Sequence, residues 1–214
     1  AEYHLYALGR KTSLVENQTK QIELFTADNV TYETRYVFGQ EDPPPPFRGR
    51  RPGPQPDAES GQPLTVAVSF KNEKDNQLGV PLPAGRVRMY QRDASGQDHF
   101  VGEDKIEHTP KDEKVTLKLA RSSDVLGIRK QTNRRQVSEH VFTESYEIRI
   151  RNHKTFAVPV LVRERLYGGL NWTIEKPSQP YRKKDFQTVE FEFSAPANGE
   201  VTVTYAVRYE RYQW

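Results

Sequence analysis

The chain has 214 residues, enough for one large β domain or two domains of about 100 residues each. Lys and Arg number 32 against 29 Asp and Glu, so the surface is mixed in charge and carries no nucleic-acid footprint. The absence of Cys excludes disulfides, thiolate metal sites and a Cys nucleophile, and no apolar run reaches the ~18 residues of a membrane span. The sequence begins at Ala1 and its only Met, Met89, lies inside a strand pattern. A processed or truncated product is therefore expected, with a removed export signal as one candidate.

From the N-terminus, Gln21–Phe25 and Val30–Phe38 read as β runs separated by an Asp28-Asn29 turn. Residues 40–63 break the pattern. They hold the run Pro43–Pro46 and Arg48, Arg50 and Arg51, and predict an exposed, partly polyproline-II loop. Strands resume at Leu64–Phe70, followed by a polar turn region to Gly79 and an edge-type connector to Gly85. Val87 and Met89 lead into Ala94-Ser95-Gly96. A three-residue loop there, with Gly last, pairs Met89 with Val101 and Tyr90 with Phe100.

Val115, Leu117 and Leu119 alternate as a strand, whereas residues 121–143 are polar and fit short strands or a helical turn. Tyr146–Arg151 and Val158–Val162 follow, and Pro159 predicts an edge or a bulge for the second. Trp172–Ile174 is a short strand. Finally, Val189, Phe191 and Phe193 alternate with glutamates, and Val201, Val203, Tyr205, Val207 and Tyr209 alternate with polar residues. A loop Ala197-Asn198-Gly199 predicts a hairpin that sets Phe193 opposite Val203, with Gly199 left-handed in a G1 bulge. Roughly ten short strands without an amphipathic helix predict an all-β fold: an antiparallel, immunoglobulin-like β-sandwich architecture in two packed units. The expected units are 1–110, with the Pro-rich loop at 40–63, and 111–214.

The segments Leu78–Arg88, Phe100–Asp104 with His108-Thr109-Pro110 and Lys111-Asp112-Glu113, Arg129–Thr132, Glu144–Ile148, Arg151–Lys154, Pro180-Tyr181 and Pro196–Gly199 stand in an ordered series. In that order they resemble bacterial exported proteins carrying the domain of unknown function 4139. The resemblance covers most of residues 5–210. It implies the C-terminal part of a secreted or envelope protein, an extracytoplasmic location, and no established activity or catalytic residues.

Glu103, Asp104, His108 and Asp112 group carboxylates around an imidazole, the donor set of a divalent metal site. The competing reading is a polar corner neutralised by Lys105, Lys111 and Lys114, since the spacing matches no metal motif. His99, His140 and His153 are scattered. No Gly-x-Ser-x-Gly elbow or phosphate-binding loop occurs, so no catalytic residue and no cofactor is assigned. Trp172 reads as core, while Tyr212 and Trp214 are candidates for exposed binding aromatics. Together these features predict a non-catalytic extracytoplasmic binding or assembly protein. Its expected partner is an envelope protein or another copy of itself, met through edge strands or the Pro-rich loop. A metal-assisted hydrolase centred on His108 and a carbohydrate-binding module using exposed aromatics are the alternatives.

Overall fold

A computed structural model describes residue 6, residues 11–39 and residues 61–211. The described part is all-β. Its strands are β1 (Glu33–Gly39), β2 (Gln62–Lys71), β3 (Gly85–Arg92), β4 (Asp98–Ile106), β5 (Lys114–Ser138), β6 (Val141–Asn152), β7 (Val158–Arg165), β8 (Asn171–Glu175), β9 (Tyr181–Lys183), β10 (Thr188–Ala195) and β11 (Gly199–Glu210). Nine of them form one sheet in the order β8-β11-β6-β5-β2-β1-β7-β10-β9, and β3 and β4 form a second. β1 runs parallel to β7, with Tyr36 beside Val160, so the sheet is mixed and the wholly antiparallel expectation is corrected. Contacts divide the chain into two units, Ala1–Glu33 with Val68–Leu117, and Thr34–Ala67 with Lys118–Trp214. The chain changes unit three times rather than once near residue 110, the changes falling within β1, β2 and β5.

The larger unit is built by period-two strands that each turn one face inward. On β6 the buried set is Phe142, Glu144, Tyr146, Ile148, Ile150 and Asn152; on β11 it is Val203, Tyr205, Val207 and Tyr209. Tyr36, Phe38, Val158, Val160, Val162, Val189 and Phe191 join the same cluster from β1, β7 and β10. Each such side chain contributes about 1.5–3 kcal/mol on leaving water. Although β10 and β11 belong to different wings of the sheet, the rings of Phe191 and Tyr205 meet at 5.3 Å. The sheet therefore curls so that its wings enclose one core. Its two end strands approach each other as well. Trp172 on β8 donates its indole N–H to the Phe186 carbonyl at 2.7 Å, and Lys183 of β9 lies 4.4 Å from the same ring. Trp172 is thus half-buried against the core cluster and closes the seam.

Several expectations are revised by pairing. β10 and β11 are not hydrogen-bonded to each other: β10 pairs with β7 and β9, and β11 with β6 and β8. Alternation specifies which face is apolar, not which strand lies alongside, and both faces do reach one core. The crossing between wings is held by Asn152, whose Nδ2 donates to the carbonyls of Phe156, Ala195 and Pro196 at 2.9, 3.2 and 2.9 Å. Asn198, not Gly199, takes the left-handed conformation (φ 48°). Residues 121–143 belong to a β5–β6 hairpin that turns at Glu139-His140. Gln21–Phe25 is not a strand, since it meets no partner strand among the described residues. Pro159 lies inside the sheet, opposite Ser194 of β10, and is tolerated because pairing with β1 begins only at Val160. Most of the Pro-rich loop, 40–60, lies outside the described residues.

The smaller unit holds the β3–β4 hairpin and a compact cluster of Leu82, Val115 and Leu117 flanked by Phe70, Val87, Met89 and Ile106. Gly96 ends the three-residue loop with φ 86°, as its position requires, and Tyr90 pairs with Phe100. A bulge after Met89 then sets it opposite Gly102 rather than Val101. Two buried asparagines fix the loops. Asn72 Nδ2 donates to Val80 and Pro110 carbonyls, each at 2.8 Å, while its Oδ1 accepts from Gly79 N–H. Asn76 binds the Thr31 backbone through both its amide oxygen and its amide nitrogen.

Candidate functional site

The four residues singled out as metal donors do not assemble. Glu103, on β4, accepts from Arg86 at 2.8 Å and from Arg88 at 3.2 Å across the hairpin. Asp104 accepts from the Lys105 backbone N–H at 2.8 Å, and His108 Nδ1 accepts from Ala84 N–H at 3.3 Å. Asp112 takes a left-handed turn (φ 68°), its N–H directed to the Asn72 carbonyl. Among the described residues no three His, Asp or Glu come close enough to hold a metal ion. The group is instead a loop corner whose charges meet arginines and backbone. His153 donates its backbone N–H to the Asp124 backbone carbonyl, and Tyr212 and Trp214 lie outside the described residues.

A polar network missed by sequence reading lies inside the larger unit. Glu144 and Glu164 occupy inward positions of β6 and β7, in phase with the apolar set, and both are buried. Tyr146 donates to Glu144 Oε2 at 2.5 Å, Tyr167 reaches Oε1 at 3.5 Å, and Arg134 forms an ion pair at 3.6 Å. Glu164 receives Arg129 Nε at 2.8 Å and the hydroxyl of Tyr205. The Arg129 guanidinium also lies 4.0 Å over the Tyr146 ring, which joins the two carboxylates into one chain of contacts. Burial pushes the Tyr146 and Tyr205 hydroxyls well above their ordinary range, and the adjoining carboxylates add to the shift. Burial would lower the Arg129 value, but the charge of Glu164 outweighs it and holds the guanidinium more firmly protonated. Protonated tyrosines that donate into ion-paired carboxylates make a structural brace; they offer neither a base nor a nucleophile.

The third buried carboxylate faces the other way. Glu190 on β10 lies out of phase with Val189 and Phe191, so alternation gives it no buried signal. It is covered by Arg163 at 2.8 Å and Arg182 at 2.5 Å, while Glu192 nearby binds Arg35 at 3.1 Å. Burial acts to raise the Glu190 carboxyl, but hydrogen bonds from Arg163 and Arg182 prevail and leave it lowered.

Among the described residues, one exposed feature with binding chemistry is the distal part of the β3–β4 hairpin. Every residue from Tyr90 to Phe100 is exposed. The Tyr90 and Phe100 rings, 56% and 57% exposed, meet edge to face at 5.6 Å. Asp93 orders the tip: its Oδ1 accepts from Ser95 N–H, Ser95 Oγ and Gln97 N–H, and its Oδ2 lies 2.6 Å from His99 Nε2. Hydrogen bonds from Ser95, His99 and Gln97 hold the Asp93 carboxyl well below its ordinary value. No family model, curated protein or solved structure significantly matches the chain.

Proposed function

We propose that this chain is a non-catalytic binding or assembly protein, and that it acts outside the cytoplasm of a bacterial cell. The observation that carries the binding reading is the ordered, solvent-projecting arm with its exposed Tyr90–Phe100 pair. Rigid aromatic side chains bury large area at small entropic cost, which is why they dominate protein contact surfaces. The buried carboxylates support the same reading, because Glu144, Glu164 and Glu190 are all committed to arginine or tyrosine partners of the fold. The extracytoplasmic placement rests on the resemblance to exported proteins carrying the domain of unknown function 4139. The reading also takes the two facing wings of the large sheet as immunoglobulin-like packing, supported by the Phe191–Tyr205 contact between them.

Cross-linking in a bacterial envelope fraction, followed by pull-down of the tagged chain, tests the proposal. The wild type is expected to retain a defined partner or a second copy, and Tyr90→Ser/Phe100→Ser to lose it while unfolding at an unchanged temperature. A wild-type chain recovered only as a monomer, without a cross-linked partner, would overturn the binding reading.

A further inference from the structure

Two arginines of β5 repeat one geometry against β6. Arg129 stands opposite Ile148 and covers the ring of Tyr146; Arg134 stands opposite Glu144 and covers the ring of Phe142. The first copy is closed. Arg129 Nε reaches Glu164 at 2.8 Å, its guanidinium lies 4.0 Å from the ring, and its side chain is 36% exposed. The second copy is loose. Arg134 Nε stops 3.6 Å from Glu144 Oε1, its guanidinium lies 5.3 Å from the ring, and its side chain is 59% exposed. At that separation no hydrogen bond forms, and an ion pair so open to water holds its arginine weakly.

Glu144 is left with one oxygen poorly served, although it is fully buried. Oε2 accepts from Tyr146 at 2.5 Å, whereas Oε1 has only Tyr167 at 3.5 Å and Arg134 at 3.6 Å. A buried carboxylate oxygen without a close donor is costly, so a closer donor is favoured there. Three rings stand around it. Phe142 stacks on Tyr209 at 5.0 Å, and Tyr167 leans on both, 6.2 Å from Phe142 and 5.0 Å from Tyr209. Phe142 and Tyr209 are buried walls, while Tyr167, 37% exposed, is the rim. Tyr167 sits between β7 and β8, followed by Gly168 and a left-handed Gly169 (φ 77°). Solvent reaches both Tyr167 and Arg134, so the rim is open to a ligand. Aromatic faces beside a carboxylate suit a cation, and Oε1 requires that the cation carry N–H donors. A planar guanidinium meets both demands.

We infer that Glu144, walled by Phe142, Tyr167 and Tyr209, binds an alkylguanidinium group from outside the chain, and that Arg134 is the occupant it displaces. This site goes beyond the binding reading above, whose arm belongs to the smaller unit. The probe is N-acetylarginine amide, titrated into the full chain by isothermal calorimetry. N-acetylcitrulline amide is its neutral counterpart, and Gly-Gly-Arg-Gly-Gly carries the same group within a peptide. Wild type is expected to bind the arginine amide with a Kd of about 1 mM or below, and Arg134→Ala to bind it at least about threefold more tightly, since its competitor is gone. The citrulline amide should bind at least about tenfold more weakly to both, and Tyr167→Ala should weaken the arginine amide about tenfold at an unchanged melting temperature. Binding of the peptide at the affinity of the amide assigns the cation to a protein side chain; binding of the amide alone assigns it to a free small molecule. No binding to either wild type or Arg134→Ala overturns the inference. So does equal binding of the citrulline amide to wild type, which needs no variant to fold. Weaker binding to an Arg134→Ala chain that melts at the wild-type temperature also overturns it, because Arg134 would then be part of the site and not its occupant.

Discussion

Glu164 shows how single side chains hold this fold. It is buried with an arginine and a tyrosine directed at it, so removing one member leaves the others uncompensated. Glu164→Gln keeps an acceptor for Tyr205 but strips Arg129 of its counter-charge, and is expected to cost about 3 kcal/mol. Tyr205→Phe removes one hydrogen bond and should cost about 1–2 kcal/mol. Urea midpoints at unchanged slope measure both, and the double variant should be less than additive. The titration of these groups sets the limits of stability. Tyr146, Tyr205 and Tyr209 have folded values above the ordinary 10.0, so the native state keeps protons that the unfolded chain gives up. Their contribution is complete below about pH 10 and is lost as pH rises beyond it. Glu190 is lowered from 4.5, so its contribution is present above that value and lost as pH falls through the region below it. Melting temperature against pH should therefore decline at both extremes, and Glu190→Gln should flatten the acid limb.

At the scale of elements, close packing between strands makes a sharp test. A Cβ on Gly127 of β5 would lie 2.3 Å from Cδ2 of Phe38 on β1. Gly127→Ala is expected to cost about 1–3 kcal/mol by overpacking, with partial recovery in Gly127→Ala/Phe38→Leu, read from denaturant midpoints. The same scale separates what the sequence discloses from what it conceals. The phases of β6, β7, β10 and β11 are legible because Val, Ile, Phe and Tyr recur every second residue. The β3–β4 loop is legible because Gly96 must be left-handed. Pairing across the core is not legible: nothing in Pro196–Gly199 distinguishes a hairpin from a crossing until Asn152 is seen to grip it. The distal half of β5 is concealed for another reason. Its core-facing places are filled by arginines stacked on aromatic rings, which carry no apolar periodicity. Glu144 and Glu164 were detectable as acids in apolar phase; Glu190 was not. The resemblance adds nothing to these placements, and the metal-donor grouping around His108 was a sequence neighbourhood without a spatial one.

For the molecule as a whole, strand order governs what can stand alone. β1 and β2 lie between β5 and β7 in the large sheet. A fragment 111–214 therefore lacks the middle of its own sheet, and would leave unpaired edges on β5 and β7. It is expected to show no cooperative melting by far-ultraviolet circular dichroism, whereas the full chain melts cooperatively. A sharp transition in the fragment would refute this account of the sheet.

The parallel pairing of β1 with β7 carries a consequence for biogenesis. Tyr36 must wait for Val160, more than a hundred residues later in synthesis, before its neighbour exists. A chain emerging from the ribosome therefore presents β1 and β2 long before their sheet can close. Closing so distant a contact early is entropically costly, so folding is gated by arrival of the C-terminal third. Until then the β7-facing edge of β1 has no partner strand, and the nascent chain passes through an interval in which that edge is exposed to mispairing.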